Sequence, residues 1–129
     1  MIRPKEDEEQ KAVVEWLRVK RIKHYANVSE NQGSFLNKRI TMQIQSKAKK
    51  MGAIRGVPDL TIFLPDKILY IEMKRKMKIL KSGKFSNADS KPSLDQLAFM
   101  EWASKLPYVL VEVGYGAEDA IKKILKNLK

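Results

Sequence analysis

Gly56-Val57-Pro58-Asp59-Leu60-Thr61-Ile62-Phe63-Leu64-Pro65-Asp66-Lys67-Ile68-Leu69-Tyr70-Ile71-Glu72-Met73-Lys74 is the stretch whose reading decides the fold. Leu60 to Leu64 and Ile68 to Met73 are short apolar runs rich in β-formers, and Leu64-Pro65-Asp66-Lys67 between them reads as a turn. With Pro65 and Asp66 as its two central residues, Leu64 faces Lys67, Ile62 faces Leu69 and Asp59 faces Glu72. The two acids then share one face with Cβ atoms ~5 Å apart, and Lys74 joins them by the strand period of two. Leu60, Ile62 and Leu64 point the other way, with Leu69 and Ile71, and supply a core face. Pro-Asp is not a favoured two-residue hairpin turn. A longer turn shifts the pairing but keeps the strand ends together.

Two carboxylates this close repel each other, and a divalent cation relieves that repulsion. Such a cation polarises a phosphate oxygen and lowers the pKa of a bound water, while a neighbouring lysine orients the nucleophile or stabilises developing charge. Two acids and a lysine on one strand pair are therefore the parts of a metal-dependent phosphodiesterase. Acids at strand ends are also commonly solvated, and Glu-x-Lys triplets arise by chance, so spacing alone leaves a non-catalytic reading open. Gly56 and Pro58 shape the start of the strand and are read as letting a DNA backbone approach.

Composition narrows the chemistry. The chain has 129 residues, which predicts one domain over 1–129, and 43% are hydrophobic, enough for a core. Lys and Arg number 26 against 15 Asp and Glu, a formal charge of +11 that calls for a polyanionic partner. Nucleic acid comes first and an anionic membrane surface second. No apolar run approaches the ~20 residues that span a bilayer, and no signal peptide is apparent, which fits a cytoplasmic protein. The absence of cysteine excludes disulfides, thiolate zinc sites and a cysteine nucleophile, and a single histidine, His24, excludes a multi-histidine metal site in one chain. Any metal must be held by carboxylates, backbone carbonyls and water, which favours Mg²⁺ or Mn²⁺. No organic cofactor is implied.

Outward from the acid pair, the chain reads α, α, β, β, α, β, α. Residues 4 to about 23 are predicted helical, with Pro4 and the acids Glu6, Asp7, Glu8 and Glu9 at the start. A short strand is possible at Tyr25 to Val28 within an otherwise irregular segment at 25–37. A second helix is expected over Thr41 to Met51 with Gly52 past its end. Residues 75 to 92 read as a basic, turn-rich flexible loop. Ser93 to Lys105 opens with the capping pattern Ser93-x-x-Gln96; Tyr108 to Val113 is a third strand and Glu118 to Leu128 a last amphipathic helix. The fold class is α/β, a small mixed sheet flanked by helices.

At these residues the chain resembles the VRR-NUC (virus-type replication-repair nuclease) family of the PD-(D/E)XK phosphodiesterases. Pro58-Asp59 matches the PD element and Glu72-Met73-Lys74 the (D/E)XK element. Gly56-Val57-Pro58-Asp59, the preceding Lys50-Met51-Gly52, Gln96 on the following helix and the opening Glu6-to-Gln10 spacing fit as well. The likeness runs over about residues 5 to 128. It implies a restriction-endonuclease-like core and a metal-dependent DNA endonuclease. Asp59 and Glu72 would be metal ligands with the Met73 carbonyl, Lys74 the catalytic lysine, Gln96 a residue positioning substrate or water, and Glu6 the first-helix acid that completes catalytic and metal sites. Glu9 and Glu15 lie on the same helix, and Glu9 can share the face of Glu6. The resemblance further implies branched DNA such as a four-way junction, a homodimer, and a cytoplasmic setting in a bacterial or phage-infected cell. Glu30-Asn31-Gln32-Gly33-Ser34 departs from the family's Asn-Gly-Gly-like turn, so no role is carried to Asn31.

Two basic clusters flank the acid pair in sequence: Lys38, Arg39, Lys47, Lys49, Lys50 and Arg55, and then Arg75, Lys76, Lys78, Lys81 and Lys84. Singly, each reads as a solvated side chain; together they favour phosphate contacts. Trp16, Phe99 and Trp102 are read as core or dimer contacts, His24 as a surface group at a helix end, and Phe35 as either a DNA wedge or a loop pin. A non-catalytic basic module, or a structural RNA-associated protein, explains the charge without explaining the acid pair.

Overall fold

The computed structural model describes residues 5–27, 42–43, 46–47, 49–52, 54–88 and 90–128. Its elements are α1 (Glu6–Val19), β1 (His24–Ala26), β2 (Leu60–Phe63), β3 (Ile68–Lys74), β4 (Lys78–Ile79), β5 (Phe85–Ser86), α2 (Leu94–Ser104), β6 (Val109–Tyr115) and α3 (Ala117–Asn127). One sheet has the order β1-β2-β3-β6 and a separate two-stranded ribbon is formed by β4 and β5. β1, β2 and β3 pair antiparallel, while β6 lies parallel to β3. The sheet is thus mixed, because the β3-to-β6 connection carries a crossover helix.

The turn at Pro65-Asp66 sets the register of the whole site. Leu64 N–H donates to the Lys67 carbonyl at 2.9 Å. Leu60 then pairs with Ile71, Thr61 with Tyr70, Ile62 with Leu69 and Phe63 with Ile68, as the two-residue turn requires. Leu60, Ile62, Leu69, Ile71 and Met73 are fully buried on one face, against Val13 and Leu17 of α1 and Ala120 and Ile124 of α3. Each such side chain contributes roughly 1.5–3 kcal/mol on leaving water. Gly114 lets α3 lie close on β6, since a Cβ there would sit 2.6 Å from that of Ala120. The opposite face of β3 meets α2, where Tyr70 contacts Phe99 edge-on at 5.3 Å and Phe99 contacts Trp102 at 5.5 Å.

Several element boundaries differ from the sequence reading for identifiable reasons. α1 stops at Val19 rather than near 23 because Arg21 takes a left-handed conformation (φ 57°). Ile22 N–H reaches back to the Leu17 carbonyl at 3.0 Å and Arg21 N–H to Arg18 at 3.1 Å, a Schellman closure made without glycine. His24 accordingly begins β1 instead of ending a helix, and its Nδ1 donates to the Ile22 carbonyl at 2.8 Å. β6 starts after Tyr108 and runs on to Tyr115, because its parallel pairing follows β3 to Lys74.

The region at 75–92, expected to be a loop, contains the β4–β5 ribbon. Gly83 N–H and the Leu80 carbonyl close its turn at 2.8 Å, and Leu80 N–H bonds Lys84 at the same distance. Gly83 at φ 83° ends that three-residue turn in the left-handed region, where other residues are strained. In the expected second helix, residues 42–43, 46–47 and 49–50 are helical, and Met51 N–H donates to Lys47 at 3.0 Å. Val28, Asn31, Phe35, Lys38 and Arg39 lie outside the described residues. No helix among the described residues is long and apolar enough to cross a membrane.

Candidate active site

Asp59 stands at the residue before β2, where the chain bends into the sheet. Its Oδ2 accepts the Met73 N–H at 2.8 Å, which locks the carboxylate against β3 one position past Glu72. The bend itself is pinned from β1. Asn27 N–H donates to the Asp59 carbonyl at 2.8 Å, and Asn27 Nδ2 donates to Pro58 O at 2.6 Å and to Thr61 Oγ1 at 3.3 Å. The sequence reading places this residue only within the irregular segment at 25–37. Its partners lie more than 30 positions away, so no local pattern announces the role.

Glu72 is the buried member of the pair, 3% exposed. Its Oε1 accepts from Gln96 Nε2 at 2.7 Å, and Lys74 Nζ lies 3.7 Å from the same oxygen. Oε2 is buried and accepts from no donor, and the Glu72 carboxyl shares a hydrogen bond with the Asp59 side chain when it carries its proton. A buried acceptor left unmet costs about 1–3 kcal/mol, more for a charged group. Burial, and then the neighbouring charge of Asp59, push the Glu72 carboxyl up to about 8, against the opposing pull of Lys74.

Gln96 reaches Glu72 because both ends of its amide are used. Oε1 accepts the Ser93 N–H at 2.7 Å while Ser93 Oγ accepts the Gln96 N–H at 3.2 Å, a complete capping box. The capping bond leaves Nε2 to donate to Glu72. The cap that starts α2 and the donor that orients the buried acid are one side chain. Gly56 serves the same contact: a Cβ there would fall 2.2 Å from the Asp95 carbonyl oxygen. Its missing side chain admits the first turn of α2, whereas sequence reading had assigned that space to DNA backbone.

The first-helix acids separate clearly. Glu6 is surface-exposed, and its carboxyl is raised above the ordinary range by partial burial, lowered by Lys74 and raised again by Asp59. Its charge therefore interacts with the site. Glu9 does something else: its Oε2 accepts the Ala117 N–H at 2.9 Å and holds the start of α3. Glu15 is exposed farther along α1.

Among the described residues no three His, Cys, Asp or Glu side chains converge closely enough to hold a metal ion by themselves. Two carboxylates do converge, one with a bare buried oxygen. That donor set fits a hard divalent cation completing its shell with a backbone carbonyl and water. The Met73 carbonyl is suitably placed. Lys74 O accepts from Gly116 across the β6 side at 2.9 Å, so strand alternation turns the polar groups of Met73 toward Asp59.

Of the basic residues read from sequence, Lys47, Lys50, Arg55, Lys76, Lys78, Lys81 and Lys84 are exposed, and Arg75 is half-buried beside the site strand. Trp16 packs on the core, Phe99 is half-buried, and Trp102 is largely exposed.

These features define a mixed α/β fold in which α1, α2 and α3 flank the sheet, with an acid pair at the β2–β3 junction. Among solved structures the chain is similar to a "VRR_NUC domain protein", at 24% sequence identity and a TM-score of 0.65, over 96% of this chain and 88% of the other. The chain has the fold of that VRR_NUC domain, in agreement with the resemblance read from its motifs. No protein-family model matches the sequence, and no curated protein does.

Proposed function

We propose that this chain is a single nuclease domain that hydrolyses DNA phosphodiester bonds with Mg²⁺ or Mn²⁺. The observation that carries the reading is the bare, buried Glu72 Oε2 beside a second carboxylate, within a fold shared with a VRR_NUC domain. Such a pair is hard to account for as structure, because two ionised carboxylates there work against folding until a proton or a cation neutralises them. A bound divalent cation supplies Lewis acidity and an activated water. Asp59, Glu72 and the Met73 carbonyl would hold it, and Glu6 would add its charge to the site. Lys74 stabilises negative charge on the scissile phosphate. Gln96 keeps the Glu72 carboxylate in one orientation through its hydrogen bond. Lys47, Lys50, Arg55, Arg75, Lys76, Lys78, Lys81 and Lys84, with Lys38 and Arg39, supply the positive field that draws the phosphate backbone.

The finer reading is an endonuclease acting on branched DNA such as a four-way junction, as a homodimer in the cytoplasm. A two-fold pair of sites suits paired cuts on a two-fold substrate. A cleavage panel of single-stranded, duplex, flap and four-way-junction DNA with each metal tests the activity, and light scattering tests the dimer. Asp59→Ala should abolish cutting while DNA binding persists. If the wild type cuts none of these DNAs with either metal, the chain is a non-catalytic basic module instead.

A further inference from the structure

The β4–β5 ribbon carries a face that metal-dependent hydrolysis does not use. Ile79 and Phe85 are cross-strand partners, so their side chains share one side of the ribbon. They are 71% and 66% exposed, and Leu80 at the turn is 46% exposed. Three large apolar side chains grouped at a surface mark a contact. The exposed Lys81 and Lys84 bracket them at the turn.

Both ends of the ribbon lead to the site. The chain leaves β3 at Lys74, turns through the ribbon, and returns to Ser93 and Gln96. Asn87 Nδ2 donates to the Tyr115 hydroxyl at 2.8 Å and ties the ribbon base to β6. Between ribbon and α3 lies a cleft of about 530 Å³, walled by Met77, Phe85 and Tyr115 and rimmed by the acids Glu9, Glu118 and Asp119 together with Lys76 and Lys122. Its rim charges are mixed in sign, with Glu118 paired to Lys122 and Asp119 to Lys123, so the cleft has no net positive field to seat a phosphate. An uncharged, planar group that stacks on an aromatic ring suits it better, with its charged backbone left outside near the lysines.

We propose that the ribbon and cleft receive an unpaired nucleobase, stacked on Phe85 and extended by Ile79, while Lys81 and Lys84 hold the adjoining phosphates. The inference rests on the nuclease reading and adds what the substrate must offer: bases out of the helical stack, beside the scissile strand. A fully paired duplex presents its backbone to the lysines but nothing to the cleft.

Binding is measured in the Asp59→Ala background without divalent cation, so that no cutting intervenes. The probes are a paired duplex and the same duplex with a short unpaired bulge carrying 2-aminopurine. Phe85→Ala should weaken bulge binding about tenfold, leave duplex binding unchanged, and abolish the 2-aminopurine quenching caused by stacking. Phe85→Trp should restore both. Lys81→Ala with Lys84→Ala should weaken both DNAs together. Equal loss on both DNAs for Phe85→Ala, quenching that survives it, or a changed molecular mass by light scattering would overturn the proposal. Phe85 is exposed, so an unchanged circular dichroism spectrum is expected and verifies the variant. A wild type that cuts no DNA would sink the nuclease reading while leaving this binding test to stand or fall separately.

Discussion

Acids occur in two settings in this molecule. Along α3 and its neighbouring strand each has a lysine of its own: Glu118 with Lys122 at 3.7 Å, Asp119 with Lys123 at 3.0 Å, Glu112 with Lys126 at 3.5 Å. The Glu118 and Lys122 side chains are 77% and 73% exposed, so water screens whatever that pair fails to neutralise. At the β2–β3 junction, Glu72 has the Lys74 amine at 3.7 Å and the charge of a second acid, Asp59, beside it. The Glu72 side chain there is 4% exposed and one of its oxygens is bare. The first arrangement is what folding alone selects. The second opposes folding and becomes favourable only when positive charge arrives, so the contrast separates surface electrostatics from a site.

Substitution at the pair should have the largest effect. Glu72→Gln or Asp59→Ala should reduce DNA cleavage at least about a thousandfold. Above about pH 8, where the wild type must bury the ionised Glu72 carboxylate, Glu72→Gln should at the same time raise the thermal midpoint of the metal-free protein. An α3 acid behaving likewise would erase the contrast between the settings.

Gln96→Glu is the next sharpest probe. A glutamate at this position still accepts the Ser93 N–H, so α2 should remain capped and helix content unchanged. It replaces the donor to Glu72 with another acid, and cleavage should fall about a hundredfold. Asn27→Ala should unpin the Asp59 bend, cost about 1–3 kcal/mol of stability by denaturant titration, and lower cleavage by about tenfold.

The pH dependence follows from the Glu72 carboxyl, ordinarily 4.5 and raised to about 8 in the folded protein. Between those values the folded state keeps a proton that the unfolded chain has released. The stability this contributes is complete below 4.5 and is lost as pH rises through about 8. Glu6, also raised, adds in the same direction. Denaturant unfolding of the metal-free protein across this range should show that decline, and Glu72→Gln should flatten most of it. The smallest effect belongs to the surface pair: Glu118→Ala should change stability by no more than about 0.5 kcal/mol and leave cleavage intact.

How much of this was legible in the sequence depended on how far each partner lay along the chain. Pro65-Asp66 between two alternating runs sufficed to place Asp59 opposite Glu72, because a two-residue turn leaves one register that buries Leu60, Ile62, Leu69 and Ile71 together. Gln96 was visible twice, as a cap and as a motif residue, and the structure explains how one amide does both. The first-helix acids could not be separated by spacing. A single contact from Glu9 to Ala117, across 108 positions, ties the Glu9 carboxylate to the start of α3. Asn27 was missed for the same reason. The ribbon escaped because each strand has only two residues, too few for alternation to register, and it rests on a glycine turn and the Asn87 tether.

The central claim is that Asp59 and Glu72 form a divalent-cation site. Thermal unfolding of the wild type and Glu72→Gln at neutral pH, over a Mn²⁺ titration, tests it most directly. The wild-type midpoint should climb with Mn²⁺ concentration and the variant's should stay where it began. A wild-type midpoint indifferent to Mn²⁺, or an equal climb in both proteins, would contradict the claim.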